Sequence, residues 1–431
     1  MNSRNSEGSH ASVPEENRST KIRRTSLPRS NGGQPHVVVI GAGMAGLMSA
    51  HTALRRAPDS RVTIVEPRPD HMLQAALPLC AVSQLSETKI TRPTQSLVPG
   101  KAVLLRDSVV EVDPVRKSVR LAGGEKLSYD ILIPASGIHP DYTQIDGLAD
   151  AMREDNSLSS VYEPKTLGRI RAMLDRPVSG NYVFVRPNAM FKCAGAIFKI
   201  ANLIDSVLRA KKARHDVHIK IYLGNSVLFP VPDYQARLED ILKSNGIEVF
   251  CNRDLIRVNH ARRAFVFANR DTGGTEEIEY AMGHMVPPMK PSPWLEENPL
   301  AAKEGFRGFV PANQYGQHPQ YPSVWPNGDT IAEPPIFKTG AAVHFRTRPL
   351  IDNVLRFLQD KELREEYRGT TGCMVPSGIG KAMLVLFDKT NKPRYPWLRW
   401  AGLWSANKPT WLMFKYGLPA FYWRAIVRGI V

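Results

Sequence analysis

HVVVIGAGMAGLMSAHTALRRAPDSRVTIVEP, residues 36–67, decides the fold. The apolar run at 37–40 reads as a strand. It enters Gly41-Ala42-Gly43-Met44-Ala45-Gly46, and an amphipathic helix then runs to about Arg56 before a second strand ends at Glu66. Each glycine has its own task. Gly41 permits the tight turn, Gly43 lets the backbone approach a pyrophosphate, and Gly46 allows close helix–strand packing. The helix N-terminus, where Met44 sits, stabilises the negative charge. Glu66, 20 residues after Gly46, stands where a carboxylate accepts hydrogen bonds from ribose hydroxyls. The glycines alone are a weak signal, but strand, glycines, helix, strand and acid in this order predict a dinucleotide-binding unit.

Two later segments extend this reading. YDILIPASGIHP (129–140) is an apolar strand ending in Ala135-Ser136-Gly137, and it resembles the corresponding turn of two-dinucleotide flavoproteins. SVWPNGDT (323–330) carries Gly328-Asp329 after a short strand; in such flavoproteins the Asp of this pair binds the ribityl chain. Trp325-Pro326-Asn327 depart from the usual apolar run, and NGD also suits a type I turn. The resemblance implies FAD as the dinucleotide. Residues 155–270 read as a second α/β unit, with strands YVFV (182–185), HIKIYL (218–223) and IEVF (247–250) and a helix from about Ala194 to Lys211. This unit lacks a GxGxxG, and Arg186-Pro187-Asn188 obstruct the approach that glycine allows, so a nicotinamide donor is disfavoured.

The chain has 431 residues, enough for two or three domains. The formal net charge is +16. Residues 1–35 hold six Lys/Arg against three acids, and 389–431 hold eight Lys/Arg and no acid, so the ends carry eleven of the sixteen charges. That distribution argues against a basic nucleic-acid groove. Four scattered cysteines (80, 193, 251 and 373) do not form a secreted disulfide scaffold, and their spacing predicts no metal site. No stretch of 18 apolar residues predicts a membrane-spanning helix. Residues 1–35 read as a disordered tail or a transit segment.

FKCAGA with Lys199 following, FPVPDY (229–234), VPPM (286–289), FKTGAAV (337–343) and Cys373 in GTTGCMV occur in one order. In this the chain resembles the sulfide:quinone oxidoreductases, most closely the mitochondrial-type branch, from residue 36 to about 425. The residues support the chemistry on their own terms. Cys193 is expected to open a helix whose dipole, with Lys192 and Lys199, lowers the thiol pKa. Cys373 is expected in an exposed Gly/Thr turn. The resemblance implies that Cys193 and Cys373 form a redox-active pair beside the flavin. It implies further that hydrosulfide attacks their bridge and leaves a persulfide, that a small acceptor such as glutathione or sulfite takes the sulfane sulfur, and that two electrons go through FAD to ubiquinone or another quinone. Lys338, before the GAAV helix, is expected to stabilise reduced flavin at its pyrimidine edge, with a surface cap as the plain alternative. Lys199 is a candidate for holding hydrosulfide as an anion. Cys80 and Cys251 read as small buried hydrophobes without an assigned role.

Five of seven tryptophans, at 397, 400, 404, 411 and 423, fall in the last 36 residues among Lys and Arg. Pro409 and Pro419 are expected to break this run into short helices lying in a membrane interface. The plain alternative is an aromatic core element or an oligomer interface. The expected architecture is therefore α/β, with two Rossmann-like dinucleotide-binding domains plus a C-terminal membrane-associating helical segment. Its parts are an FAD-binding domain at 36–154 and 271–345, a second Rossmann-like domain at 155–270 carrying Cys193, and a C-terminal domain at 346–431 with Cys373 and the anchor. The mitochondrial-type pattern implies the matrix side of the inner membrane, with a bacterial cytoplasmic membrane as the alternative. A type II NADH dehydrogenase, a soluble flavin subunit serving a cytochrome and a catalytically silent, membrane-docked flavoprotein remain as other readings.

Overall fold

In the computed structural model, residues 33–430 are described. The expectations for residues 1–35 fall almost wholly outside them. Strand β1 (His36–Ile40) leads through the glycine turn into α1 (Met44–Arg56) and then β2 (Arg61–Val65). With β3 (Ala102–Leu105) and β4 (Ile131–Pro134) they form a parallel sheet in the order β3-β2-β1-β4. Val37 pairs with Val62 on one side and Ile131 on the other. All five β1 residues are buried, which is why the strand reads VVVI without polar alternation. Val324 adds a parallel bridge to Leu132 and brings the GD segment beside β4.

The strand order reverses direction between β1 and β4, and in open parallel sheets ligands bind outside the strand ends at such a point. The two turns after these strands approach closely there. A side chain at Gly41 would stand 2.6 Å from the Ala135 carbonyl, and Gly41 has φ +102°. A side chain at Gly46 would meet the Gly41 carbonyl at 1.8 Å, so α1 can cross the strand this closely only over glycine.

The second sheet is also parallel, in the order β5 (Leu158–Ser159), β9 (Met282–Met285), β6 (Gly180–Arg186), β7 (Val217–Leu223), β8 (Glu248–Phe250). Helix α2 (Ala196–Ala210) follows β6, and α3 (Pro232–Ser244) follows β7. Strand β9 pairs with Tyr182–Val185, so this unit reaches past the expected boundary at 270 to residue 285. An antiparallel three-stranded sheet spanning residues 253–279 intervenes and separates β9 in sequence from the sheet it completes.

Helix α4 (Gly340–Leu358) packs against α1, and the antiparallel hairpin β10 (Thr371–Gly378) and β11 (Lys381–Phe387) packs on α2. Asn202 of α2 donates to the Pro376 carbonyl of β10 and ties the two together. From Lys408 to Ile426 the chain follows one helical path. The prolines therefore act differently from expectation. Pro409 starts the helix, where its missing amide costs nothing. Pro419 sits between widened π turns at 413–417 and 422–426, which let the path continue around it.

Candidate active site

The dinucleotide cradle is built by backbone geometry. At Gly43 and Gly137 a side chain would meet nothing within 4 Å, so both glycines face open space at the mouth of the crevice. Gly137, with φ +71°, donates its amide to Thr330 Oγ1 and so links the second turn to the GD segment. Between the turns, the Ser136 hydroxyl is buried without a protein partner, a polar atom left for a ligand. Burial opposes ionisation of Glu66, but hydrogen bonds from Arg68 and from the Ala42 and Arg68 amides hold its carboxyl below the usual range. These residues fit FAD. The glycines admit a pyrophosphate, Ser136 has an unused hydroxyl, and Glu66 is fixed at the end of β2.

The departure at 325–327 is absorbed by packing. Trp325 is fully buried, and Asn327 donates to Ser49 of α1 and Thr347 of α4. Asn327 thereby sets the position of Gly328-Asp329. Gly328 has φ +78° and lies so close to Ala45 that a side chain would stand 2.7 Å from its Cβ. Met44 contacts the start of α4, with its Sδ 3.4 Å from where a Gly340 side chain would begin.

Lys338 is buried, and its ammonium donates to the carbonyls of Asp329 (3.0 Å) and Ile331 (2.7 Å) beneath the Phe309 ring. Burial lowers its pKa to about 8. Two of its donors thus hold the GD loop in place, and its burial differs from the surface-cap alternative.

Cys193 lies three residues before α2 and does not open it. Its φ is +58°, a left-handed conformation that a helix cannot include. Several contacts hold this geometry. The Cys193 amide donates to the Lys338 carbonyl at 3.0 Å, and the Ala196 amide donates back to the Cys193 carbonyl at 2.9 Å. Tyr162 donates its hydroxyl to the carbonyls of Lys192 (2.6 Å) and Cys193 (3.3 Å). Arg186, buried at the end of β6, donates to the Ala194 carbonyl between the rings of Phe191 and Phe198.

Cys373 stands within β10, opposite Val385, and so belongs to a strand and not to the expected turn. Its Sγ is only 3.1 Å from where a Gly195 side chain would begin. Gly195 is therefore the residue that admits the second sulfur, and sequence reading missed it. Cys193 and Cys373 are free thiols, both half-buried. The Cys373 thiol donates to Cys193, and this bond, reinforced by Lys199, pulls the Cys193 pKa down against desolvation. The same bond pushes the Cys373 thiol up. Lys199 is buried with its Nζ 3.6 Å from Cys193 Sγ and its face over the Phe414 ring. Cys193 is thus the thiol of the pair whose ionisation is favoured, through the Cys373 hydrogen bond and the Lys199 charge.

Cys80 is buried, and desolvation raises its thiol to about 12. Cys251 is half-buried, and its thiol is also raised by burial. Neither is activated. In the second unit, the β6–α2 turn fills the position where a glycine turn would receive a nucleotide. Asn188 donates its amide to Asp254, and a side chain at Gly224 would lie 2.3 Å from the Asn188 nitrogen.

Comparison with known proteins places the chain in a family. Residues 35–172 match the pyridine nucleotide-disulphide oxidoreductase family. The mitochondrial sulfide:quinone oxidoreductase of Mus musculus is 30% identical over 397 residues, covering 91% of this chain and 86% of that protein. Among solved structures, the sulfide:quinone oxidoreductase of Aquifex aeolicus superposes with a TM-score of 0.77 at 18% identity over 92% of each chain. A chain of the Tetrahymena thermophila mitochondrial ATP synthase superposes with a TM-score of 0.78 at 18% identity, over 95% of this chain and 99% of that one. At these identities the two structures establish a shared fold. The sequence relationship establishes more: the chain belongs to the sulfide:quinone oxidoreductase family of FAD-dependent enzymes.

Proposed function

We propose that this protein oxidises hydrogen sulfide to sulfane sulfur at Cys193 and Cys373 and passes two electrons to a membrane quinone. The arrangement of Cys193 against both Cys373 and Lys199 carries the reading. When the two sulfurs are joined, hydrosulfide attacks one and expels the other as a thiolate. The sulfur with the lower pKa leaves more readily. Cys193 is that sulfur, because Lys199 and the Gly195 amide stabilise its anion. Attack therefore falls on Cys373, the S–S bond breaks, and Cys373 keeps the persulfide with its proton. A small thiol or sulfite then takes the outer sulfur and leaves a Cys373 thiolate. The two cysteine sulfurs rejoin as two electrons depart. FAD, held by Gly41, Gly43, Gly46, Gly137 and the Gly328-Asp329 segment, supplies the two-electron acceptor that quinone re-oxidises.

Membrane docking through the C-terminal segment supports the use of a lipid-soluble acceptor. No helix among the described residues is long and apolar enough to cross a membrane. Trp400 is 91% exposed, and Trp397, Leu412, Met413, Tyr416 and Phe421 are also exposed, whereas Trp411 and Phe414 pack inward. This amphipathic division fits an in-plane anchor. The relatives named as mitochondrial support a mitochondrial location, and within it the proposed docking face belongs at the inner membrane, on the matrix side.

The test is the visible spectrum of the detergent-purified flavoprotein under anaerobic titration. Sulfide is expected to bleach the flavin band and quinone to restore it, with C193S and C373S unresponsive. Rapid bleaching by NADH and none by sulfide would replace this reading with an NADH dehydrogenase.

A further inference from the structure

Beside the C-terminal helical path lies an open cavity of about 540 Å³ that the sulfide chemistry does not use. Its walls come from the segment after Cys80 and from the 408–426 path, with Arg171 on a third side. Ser83, Gln84 and Ser86 line it with polar groups. Glu87 is its one acid and is paired with Arg171 at 2.9 Å, which leaves Lys89 and Lys415 as the surplus charge. Lys415 is held against one wall by Gln84 Oε1 at 3.0 Å. Lys89 is tied to the helical path because its carbonyl accepts from Trp423 Nε1 at 3.1 Å. Tyr416, at the rim, is exposed. Leu412 and Met413, four and three residues earlier, share its helical face and are exposed too. A polar, cationic hollow thus sits directly beside an exposed apolar face.

We propose that this cavity seats the phosphate headgroup of an anionic phospholipid. The headgroup lies between Lys89 and Lys415, and its acyl chains run out along Leu412, Met413 and Tyr416. Charge complementarity selects this occupant. The cavity offers two unneutralised ammonium groups, and residues 389–431 contain no acid to repel the anion. A zwitterionic lipid gains less, because its own cation meets these lysines. The proposal rests on membrane docking and makes that docking lipid-selective.

The experiment sediments the FAD-loaded full chain with vesicles of phosphatidylcholine alone or mixed with phosphatidylglycerol. Wild type is expected to prefer the mixed vesicles. The K89Q/K415Q pair, and K89Q alone in the same direction, is expected to lose that preference by about ten-fold for the pair. K389Q/K392Q removes two charges that do not line the cavity and is expected to change it by about two-fold at most. Equal losses in both pairs would reveal diffuse attraction and overturn the site, as would a wild type without preference. Inorganic phosphate that raises the wild-type melting temperature through Lys89 and Lys415 without any vesicle preference would assign the cavity to a free anion and overturn the lipid. Sulfide bleaching of the same preparation in detergent tests the functional reading separately.

Discussion

At the scale of single residues, the site depends on small groups that hold a strained cysteine. Cys193 adopts a left-handed backbone that costs a non-glycine residue about 1–2 kcal/mol, and Tyr162 is one of the contacts that fixes it. Y162F removes the hydroxyl that two carbonyls share. It is expected to lower sulfide-dependent flavin reduction about ten-fold or more while FAD content is kept. A shift in the pH profile of Cys193 alkylation would show that the cysteine itself has moved. The alkylation profile also tests Lys199. With the Cys193 pKa lowered, the thiolate exists above that lowered value and disappears as pH falls through it. Iodoacetamide should therefore react well below the usual thiol range in wild type. K199M should move the onset to higher pH.

Elements bring these residues together. Helix α2 and strand β10 pack so closely that Gly195 faces the Cys373 sulfur at the distance of an added methyl group. G195A should retain FAD and fold, yet respond to sulfide far more slowly, because the new Cβ must push Cys373 Sγ aside. Normal bleaching rates in G195A would show that the sulfur has room to shift. The C-terminal path makes a second link. His71 bonds the Ala42 carbonyl of the glycine turn through Nδ1 and the Tyr422 hydroxyl through Nε2. This pattern fits a neutral ring that donates from Nδ1 and accepts at Nε2. Y422F leaves Nε2 unpaired and is expected to cost about 1–3 kcal/mol, read from denaturant unfolding.

Over the whole molecule, buried neutral histidines make stability depend on pH. Burial lowers the pKa of His71, and that of His284 to about 3. Groups depressed in the fold contribute their stability above the unfolded value near 6.5 and lose it as pH falls toward the folded values. The melting temperature is therefore expected to drop on acidification below about pH 6.5. H284Q should reduce that slope. The C-terminal segment packs one side on the body, and the proposed docking uses its exposed side. F414A removes a ring packed under Lys199 and is expected to cost about 3–5 kcal/mol. W400S, at a 91% exposed position, should leave stability within about 0.5 kcal/mol while weakening vesicle binding. A tail acting only as an oligomer interface would lose self-association in W400S and leave vesicle binding unchanged.

What the sequence determined by itself follows from local rules. The 36–67 stretch specifies strand, glycine turn, helix and strand within one continuous segment, where steric demands on glycine and the burial of β1 act on neighbours in the chain. The family was legible from short motifs, FKCAGA to GTTGCMV, each readable by itself and recognisable by their order along the chain. Tertiary structure decided the rest, because it concerns contacts between distant segments. Cys193 and Cys373 are 180 positions apart, and only the packing of β10 on α2 brings them together. Tyr162 carries no motif, and Gly195 is only one letter of FKCAGA; their roles exist only where a carbonyl or a sulfur approaches them. Lys338 reaches the Asp329 and Ile331 carbonyls because a buried ammonium must satisfy its donors with near acceptors, a contact that no local pattern marks. The second sheet outran its expected boundary because the strand it needed, Met282–Met285, returns after an inserted antiparallel sheet. No local pattern marks that return, and only pairing with Tyr182–Val185 defines it.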